Sequence, residues 1–269
     1  MNYRMIVLDL DGTLTNKDKV ITSRTKEALF ELKRQGGIIV LASGRPTYGI
    51  MPLARELELH ETGGYILSYN GGRIIDLSTG EAVFSKELPV ESNEKIIKLS
   101  KDHGVNVLTY EGDVIITPNA LDEYVQKEAF INKLKVKEVQ DMEAYAKFPV
   151  VKFMMLEEGE ILQMVEPKVK ALLGRDYSVY RSEPYFLEIL PKGIDKAASL
   201  ERLLSRLSMN KAEMIACGDG YNDLSMIEYA GLGVAMENAV LPVKKAADYI
   251  TYSNNDDGVA HVIEKFMLS

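Results

Sequence analysis

Apolar and polar positions in the first third of the chain follow two alternating periods. Met5–Leu10, apolar but for Asp9, has the pattern of a strand covered on both faces. Thr22 or Ser23 can cap a helix whose Ala28, Leu29 and Leu32 share one face, and Gly36 and Gly37 end it. Ile38–Ala42 reads as a second buried strand. A helix carrying Ile50, Leu53, Ala54 and Leu57 follows, then a third strand at Tyr65–Ser68. Strands alternating with helices predict parallel pairing and a doubly wound α/β sheet.

Beyond residue 70 the pattern changes. Asn70-Gly71-Gly72 and Ser78-Thr79-Gly80 are turn signals beside short strand-like runs, so a hairpin is expected. Glu91–His103 is helical. Asn106–Tyr110 and Val114–Thr117 flank Glu111-Gly112-Asp113 as a second hairpin, and Leu121–Leu134 has weaker helical periodicity. Val150–Leu156 and Phe186–Leu190 read as strands, with a helical region interrupted by Pro167 between them. The strand–helix alternation returns at Pro191: a helix over Asp195–Leu207, strands at Met214–Cys217, Leu232–Ala235 and Tyr249–Thr251, and helices at Leu224–Ala230, Pro242–Ala247 and Val259–Met267. The expected fold is a Rossmann-like parallel-sheet core built from residues 1–83 and 189–269, with an α+β domain inserted at 84–188. No internal repeat or low-complexity stretch is evident.

Composition changes this picture little. With 269 residues, a prior of about 150 per domain suggests one large domain or two modest ones. The apolar share of 46% and charged share of 27% are those of a globular protein. A net charge of -8 argues against general affinity for nucleic acid or anionic membrane. The single cysteine, Cys217, excludes an internal disulfide and fits a buried strand. The N-terminal apolar run is too short for a signal peptide, and no stretch of about 18 apolar residues predicts a membrane span, so cytoplasm is the expected location.

Chemistry concentrates in four segments. Asp9 and Asp11 stand at the carboxyl end of the first strand, where open α/β sheets bind ligands. Gly12 turns the chain, so both carboxylates can serve one site. Taken alone, Asp9-Leu10-Asp11-Gly12 also reads as a polar strand end. A calcium loop needs further acidic ligands that Asn16-Lys17-Asp18-Lys19 does not supply. Ser43-Gly44-Arg45 ends the second strand with a hydroxyl and glycine-freed amides suited to a phosphate oxygen, or it is simply a helix cap. In Gly218-Asp219-Gly220-Tyr221-Asn222-Asp223 the glycines allow close approach and the aspartates offer hard oxygen ligands suited to Mg²⁺; Asp223 reads equally as a first-turn acid. Lys196 opens a helix, where a cation is unfavourable unless an anion is near. Together the four supply a carboxylate nucleophile, a second carboxylate, metal ligands, a hydroxyl and an ammonium, the parts that phosphoryl transfer requires.

These segments resemble the motifs of the haloacid dehalogenase (HAD) superfamily, and within it the Cof-type phosphatases with a type IIB cap. Three companions fit as well: Asn70-Gly71-Gly72, Val234-Ala235-Met236-Glu237-Asn238-Ala239 and Asn255-Asp256-Asp257-Gly258-Val259. The resemblance implies a Mg²⁺-dependent phosphatase acting on small phosphorylated metabolites such as sugar phosphates or pyridoxal phosphate. By it, Asp9 attacks phosphorus, and Asp11 protonates the leaving oxygen and then activates water. A neighbouring carboxylate is expected to raise the Asp11 pKa for that role. Asp9, the Asp11 carbonyl and Asp219 are implied to hold the metal, with Asp223 acting through water or by orienting Asp219. The Leu10 amide, Ser43, the Gly44 amide, Lys196 and Asn222 are implied to bind the phosphoryl oxygens.

Substrate choice falls to the inserted domain, whose polar candidates are Tyr110, Glu111, Asn119, Tyr180, Arg181 and Tyr185, with Arg45 facing it from the core. Tyr180 and Arg181, in Val179–Phe186, are the most suggestive; each also reads as a surface or packing residue. His60, His103 and His261 lack ligand spacing. Two alternatives keep the fold: a phosphomutase, and a non-catalytic regulator that binds a phosphometabolite. A plain calcium or magnesium module is a third, for which Lys196 would be dispensable. No obligate protein partner is indicated.

Overall fold

The computed structural model describes residues 3–268. They form two compact units, one comprising the chain up to Phe84 and from Asp195 onward, the other Ser85–Ile194.

The first unit is built on an eight-stranded sheet of order β14-β13-β12-β1-β2-β3-β4-β5. Its early elements are β1 (Met5–Leu8), α1 (Ser23–Arg34), β2 (Ile38–Ala42), α2 (Thr47–Glu56), α3 (Leu59–Thr62), β3 (Tyr65–Ser68), β4 (Arg73–Asp76) and β5 (Ala82–Ser85). β1 pairs in parallel with β2, and β2 with β3, as the alternation predicts. β3 and β4 pair antiparallel through the Asn70–Gly72 turn, so the sheet is mixed at this edge. All four β1 residues are buried, as their unbroken apolar run requires. Thr22 caps α1, its side chain accepting the Thr25 amide, and Ala28, Leu29 and Leu32 face the core.

The second unit holds α4 (Val90–Asp102), β6 (Asn106–Glu111), β7 (Val114–Thr117), α5 (Glu123–Asn132), β8 (Lys135–Glu138), α6 (Met142–Tyr145), β9 (Phe153–Leu156), α7 (Gly159–Leu173), β10 (Tyr177–Glu183) and β11 (Phe186–Pro191). Its sheet runs β10-β11-β9-β6-β7-β8. Alternate residues Val107, Ile116, Phe153, Met155, Leu187 and Ile189 pack with Ile96 and Ile97 of α4 and Leu162, Val165 and Val169 of α7 into a separate core. Three features differ from the sequence reading. β8, α6 and β10 are additional elements. Pro167 does not interrupt α7: it lies on the exposed side, where the carbonyl one turn back, at exposed Gln163, can be met by water. β11 pairs with both β9 and β10, so the whole strand belongs to this unit, whereas the expected boundary at 188/189 would cut it.

The chain then completes the first unit with α8 (Lys196–Arg206), β12 (Met214–Gly218), α9 (Leu224–Tyr229), β13 (Leu232–Ala235), α10 (Leu241–Ala246), β14 (Tyr249–Ile250) and α11 (Gly258–Phe266). β12 pairs in parallel with β1 on the side opposite β2, and β13 and β14 extend outward. The strand order therefore reverses between β1 and β12. The carboxyl ends at such a switch point border the crevice where open α/β sheets bind ligands.

Candidate active site

The sheet register sets the site. Leu8 lies opposite Leu41 on one side and Cys217 on the other, so Asp9 leaves β1 level with the ends of β2 and β12. Its amide is bound to the Cys217 carbonyl at 3.1 Å. Ser43 follows β2 and Asp219 follows β12. Asp223 sits in a short 3-10 turn held by the glycines of its motif: its Oδ2 accepts the Asp219 and Gly220 amides, each at 2.9 Å.

Lys196 joins these segments. It is the first residue of α8, whose N-cap Asp195 accepts the Ala198 amide. Its Nζ donates to Asp9 Oδ1 and Asp223 Oδ1, both at 2.6 Å, and to the Ala42 carbonyl at 2.9 Å. At 0% exposure the ammonium has no access to water. Burial by itself lowers its pKa, but the Asp223 and Asp9 carboxylates together outweigh burial and hold it well above the ordinary range. Lys196 is therefore a fixed positive charge.

One lysine does not balance the site. Asp9, Asp219 and Asp223 each place a carboxylate oxygen within 4.8 Å of the others. Burial, followed by repulsion from Asp223, pushes Asp9 well up; burial also pushes Asp219 up to about 6, against a hydrogen bond from Thr13 Oγ1 at 2.8 Å. Two acids held reluctant to ionise beside a third carboxylate, offering oxygen donors only, fit a hard divalent cation. Gly12 is required here. It adopts φ +86°, and a Cβ would stand 2.3 Å from Asp219 Oδ2.

Asp11 differs from its expected state. Arg45 grips both its oxygens, Nε at 2.8 Å and Nη2 at 2.6 Å, and Lys19 Nζ adds a contact at 2.6 Å. Burial raises its pKa, yet these two cations together outweigh burial and hold the carboxyl below the usual range. The expected upward shift is corrected for this reason: its near neighbours are cations, not carboxylates. The Asp11 carboxylate also lies outside the three-carboxylate group.

Ser43 is buried, and its Oγ accepts the Arg45 amide at 3.2 Å. Gly44 lies against the Asn70 side chain, 3.2 Å from where a Cβ would point. Asn70 is left-handed at φ 55°, and its Oδ1 accepts Asn222 Nδ2 at 3.1 Å, tying the loop after β3 to the loop after β12. Sequence reasoning read Asn70 as a turn residue and as part of a companion motif, without linking it to the site. Thr13 and Lys19 were also passed over, though Thr13 lies in the first motif and Lys19 in the adjacent loop. Leu10 is buried and gives its carbonyl to Thr15.

In the second unit, Arg181 Nε pairs with Glu166 of α7 at 2.8 Å, so a packing role fits it. Tyr180, its neighbour, points to the other face of the strand, with its hydroxyl 3.4 Å from Glu188 Oε2. Tyr110 donates to Glu128 at 2.6 Å, and Tyr145 donates to Glu111 at 2.6 Å. The Asn119 carbonyl accepts Asn106 Nδ2, and Tyr185 stacks on Tyr124. Cys217 is buried and its thiol is pushed up by burial, which removes it as a nucleophile. His60 pairs with exposed Glu61, His103 ends α4, and His261 hydrogen-bonds Tyr249.

Comparison with known proteins gives the family. The family model of haloacid dehalogenase-like hydrolases matches residues 6–263. The chain belongs to the haloacid dehalogenase-like hydrolases. Within them it is of the Cof type, and it is a phosphatase. It is 32% identical over 270 residues to a protein of Streptococcus pyogenes serotype M6 described as a candidate phosphatase, covering 100% of both chains. Among solved structures, a haloacid dehalogenase-like hydrolase of Bacteroides thetaiotaomicron superposes with a TM-score of 0.95 at 52% identity, covering 98% of this chain and 100% of that one. A HAD subclass IIB sugar phosphatase superposes with a TM-score of 0.81 at 25% identity, covering 99% of this chain and 100% of that one. No helix among the described residues is long and apolar enough to cross a membrane.

Proposed function

We propose that the chain hydrolyses small phosphate monoesters, sugar phosphates among them, through a phosphorylated Asp9. The observation that carries this reading is the group of three carboxylates around buried Lys196 at the carboxyl ends of β1 and β12. A plain metal module has no use for a lysine that neutralises two of its own acids, so the lysine favours an anionic ligand beside the cation. The sugar ester follows the named activity of the subclass IIB relative.

In the first step an Asp9 carboxylate oxygen attacks phosphorus and the bond from phosphorus to the ester oxygen breaks. The leaving oxygen takes a proton from the Asp11 carboxyl. In the second step water attacks phosphorus, the bond to Asp9 breaks, and the Asp11 carboxylate takes the proton of that water. Phosphate leaves, and both acids return to their starting forms. Arg45 and Lys19 hold Asp11 in the ionised form that the second step uses. The first step needs the protonated form, so the clasp must loosen as substrate arrives. Ser43, the Leu10 and Gly44 amides, Lys196 and Asn222 bind the phosphoryl oxygens and hold phosphorus in line with Asp9. Asp9 and Asp219, with the Asp11 carbonyl, would hold Mg²⁺, and Asp223 would orient Asp219. Bound there, the ion would neutralise charge on the phosphoryl group.

A phosphate-release screen over a panel of phosphometabolites, with Asp9→Asn as control, tests this reading. Asp9→Asn is expected to abolish release while the fold is kept, and EDTA is expected to stop the wild type until Mg²⁺ is returned. Turnover by Asp9→Asn at the wild-type rate would sink the nucleophile, and indifference to chelation would sink the metal.

A further inference from the structure

Three asparagines near the C-terminus grip the loop that follows Asp11, and the chemistry above leaves them unused. Asn238 Nδ2 donates to the Gly12 carbonyl at 2.8 Å. Its Oδ1 accepts the Asn254 amide at 3.0 Å, and Asn254 Nδ2 donates to the Thr15 carbonyl at 2.8 Å. Asn255 Oδ1 accepts the Lys17 amide at 3.0 Å. The three contacts to the Gly12–Lys17 segment join residues 226 to 239 positions apart. Asn238 and Asn255 belong to the two late motifs singled out in the sequence.

The turn they hold begins at a glycine. Gly12 is left-handed, a conformation from which glycine moves at little cost. The plane of the Gly12–Thr13 peptide sets the course of the turn between Asp11 and Thr13. Asn238 holds the carbonyl of that plane, and Asn254 holds the far end of the same turn, where Thr15 bridges back to Asp11. The segment bearing Asn238 also grips the neighbouring loop: the Met236 amide donates to the Gly218 carbonyl at 3.1 Å and the Val240 amide to the Asp219 carbonyl at 3.0 Å. A single stretch after β13 thus keeps the Asp11 turn and the Asp219 loop in register.

We propose that Asn238 and Asn254 are positioning residues that fix the Gly12–Thr15 turn, so that Asp11 can deliver its proton to the leaving oxygen. The proposal rests on the acid role of Asp11 given above. It separates from a merely structural role in kcat/KM, which covers only the first step: there a misplaced acid matters only when the leaving group needs a proton, whereas the base role of Asp11 in the second step is common to all esters. An alkoxide needs one; p-nitrophenolate does not.

The test is steady-state kinetics on one alkyl phosphate and on p-nitrophenyl phosphate, with thermal melting of each variant. Asn238→Ala and Asn254→Ala are each expected to lower kcat/KM on the alkyl ester about tenfold, against about twofold on the aryl ester. Asn238→Asp, isosteric but lacking the donor, is expected to show the same split and replaces the alanine variant should that one not fold. Asn210→Ala removes the cap of the turn at Lys211–Glu213 and is the structural control: it is expected to melt earlier while keeping the wild-type ratio of the two substrates. Equal losses on both esters in the Asn238 and Asn254 variants, tracking their melting as in the control, would overturn the proposal. Asp11→Asn is run alongside. If it splits the two substrates and the asparagine variants do not, the positioning role fails and the acid role stands. If Asp11→Asn shows no split, the acid role itself fails.

Discussion

The first unit gathers its charged groups at one end of its sheet; the second spreads them across a sheet face. Asp9, Ser43 and Asp219 each follow a parallel strand, and Lys196 draws Asp9 and Asp223 together from α8 and the β12 loop. In the second unit Tyr180, Glu188, Met154 and Leu108 form one row across β10, β11, β9 and β6, and Lys152 Nζ reaches Glu188 Oε1 at 3.1 Å. Both regions bury a lysine against a carboxylate: Lys152 and Glu188 are 2% and 5% exposed, Lys196 0%. The setting differs. Lys152 and Glu188 are opposite in sign and hydrogen-bonded to each other, and such pairing is what makes a buried ion pair tolerable. Lys196 stands among three carboxylates, and two of them resist ionisation. A surplus of buried negative charge carries no structural benefit and marks a place kept for a ligand.

Replacing each lysine separates the two regions. Lys196→Met is expected to reduce phosphate release at least about a hundredfold, since it removes the ammonium from the phosphoryl site. It should also destabilise the metal-free fold by about 3–5 kcal/mol, the cost of leaving buried carboxylates without their partner. Because carboxylates remain, Mg²⁺ should recover more stability in this variant than in the wild type. Lys152→Met is expected to lose a comparable amount of stability with no recovery by Mg²⁺, and Lys152→Met combined with Glu188→Leu should regain most of it. Denaturant melts with and without Mg²⁺ check all of this. Equal Mg²⁺ responses in the two single variants would erase the distinction between the regions.

A smaller effect sharpens the comparison through pH. Asp219 has a folded pKa of about 6, above its ordinary value, so between about pH 4 and 6 the folded chain binds more protons than the unfolded one. The slope of stability with pH is therefore negative for this group, and metal-free stability falls as pH rises through that window. Asp9 acts in the same direction. A cation must displace these protons, so the Mg²⁺-induced rise in melting temperature should be larger at about pH 7 than at about pH 5. A shift independent of pH would mean that the ion binds elsewhere.

The contrast also accounts for what was legible in the sequence. Strand-end chemistry is local: Asp9 and Asp11 share one motif, Asp219 and Asp223 another, and the apolar runs that place them are the buried strands β1, β2 and β12. The parallel core followed from the same alternation. What crosses the fold was hidden. Nothing in Ser43-Gly44-Arg45 indicates that Arg45 grips Asp11, or that Asn222 meets Asn70 152 positions away. In the second unit, β8 is a short, mostly exposed strand of Lys135-Val136-Lys137-Glu138, and β10 is an edge strand with few apolar residues, so neither shows a clear period. Pro167 misled for a related reason: its effect depends on which side of the helix faces water.

The most direct test is to mix enzyme and a phosphate ester, quench in acid within one turnover, and map the phosphorylated peptide. With p-nitrophenyl phosphate, whose leaving group needs no proton, Asp11→Asn is slowed chiefly in the second step and should accumulate the species. The phosphoryl group is expected on Asp9 and absent from Asp9→Asn. A phosphoryl group on Ser43 or another residue, or water attacking the substrate with no enzyme-bound phosphate under any quench, would contradict the assignment of Asp9 as nucleophile.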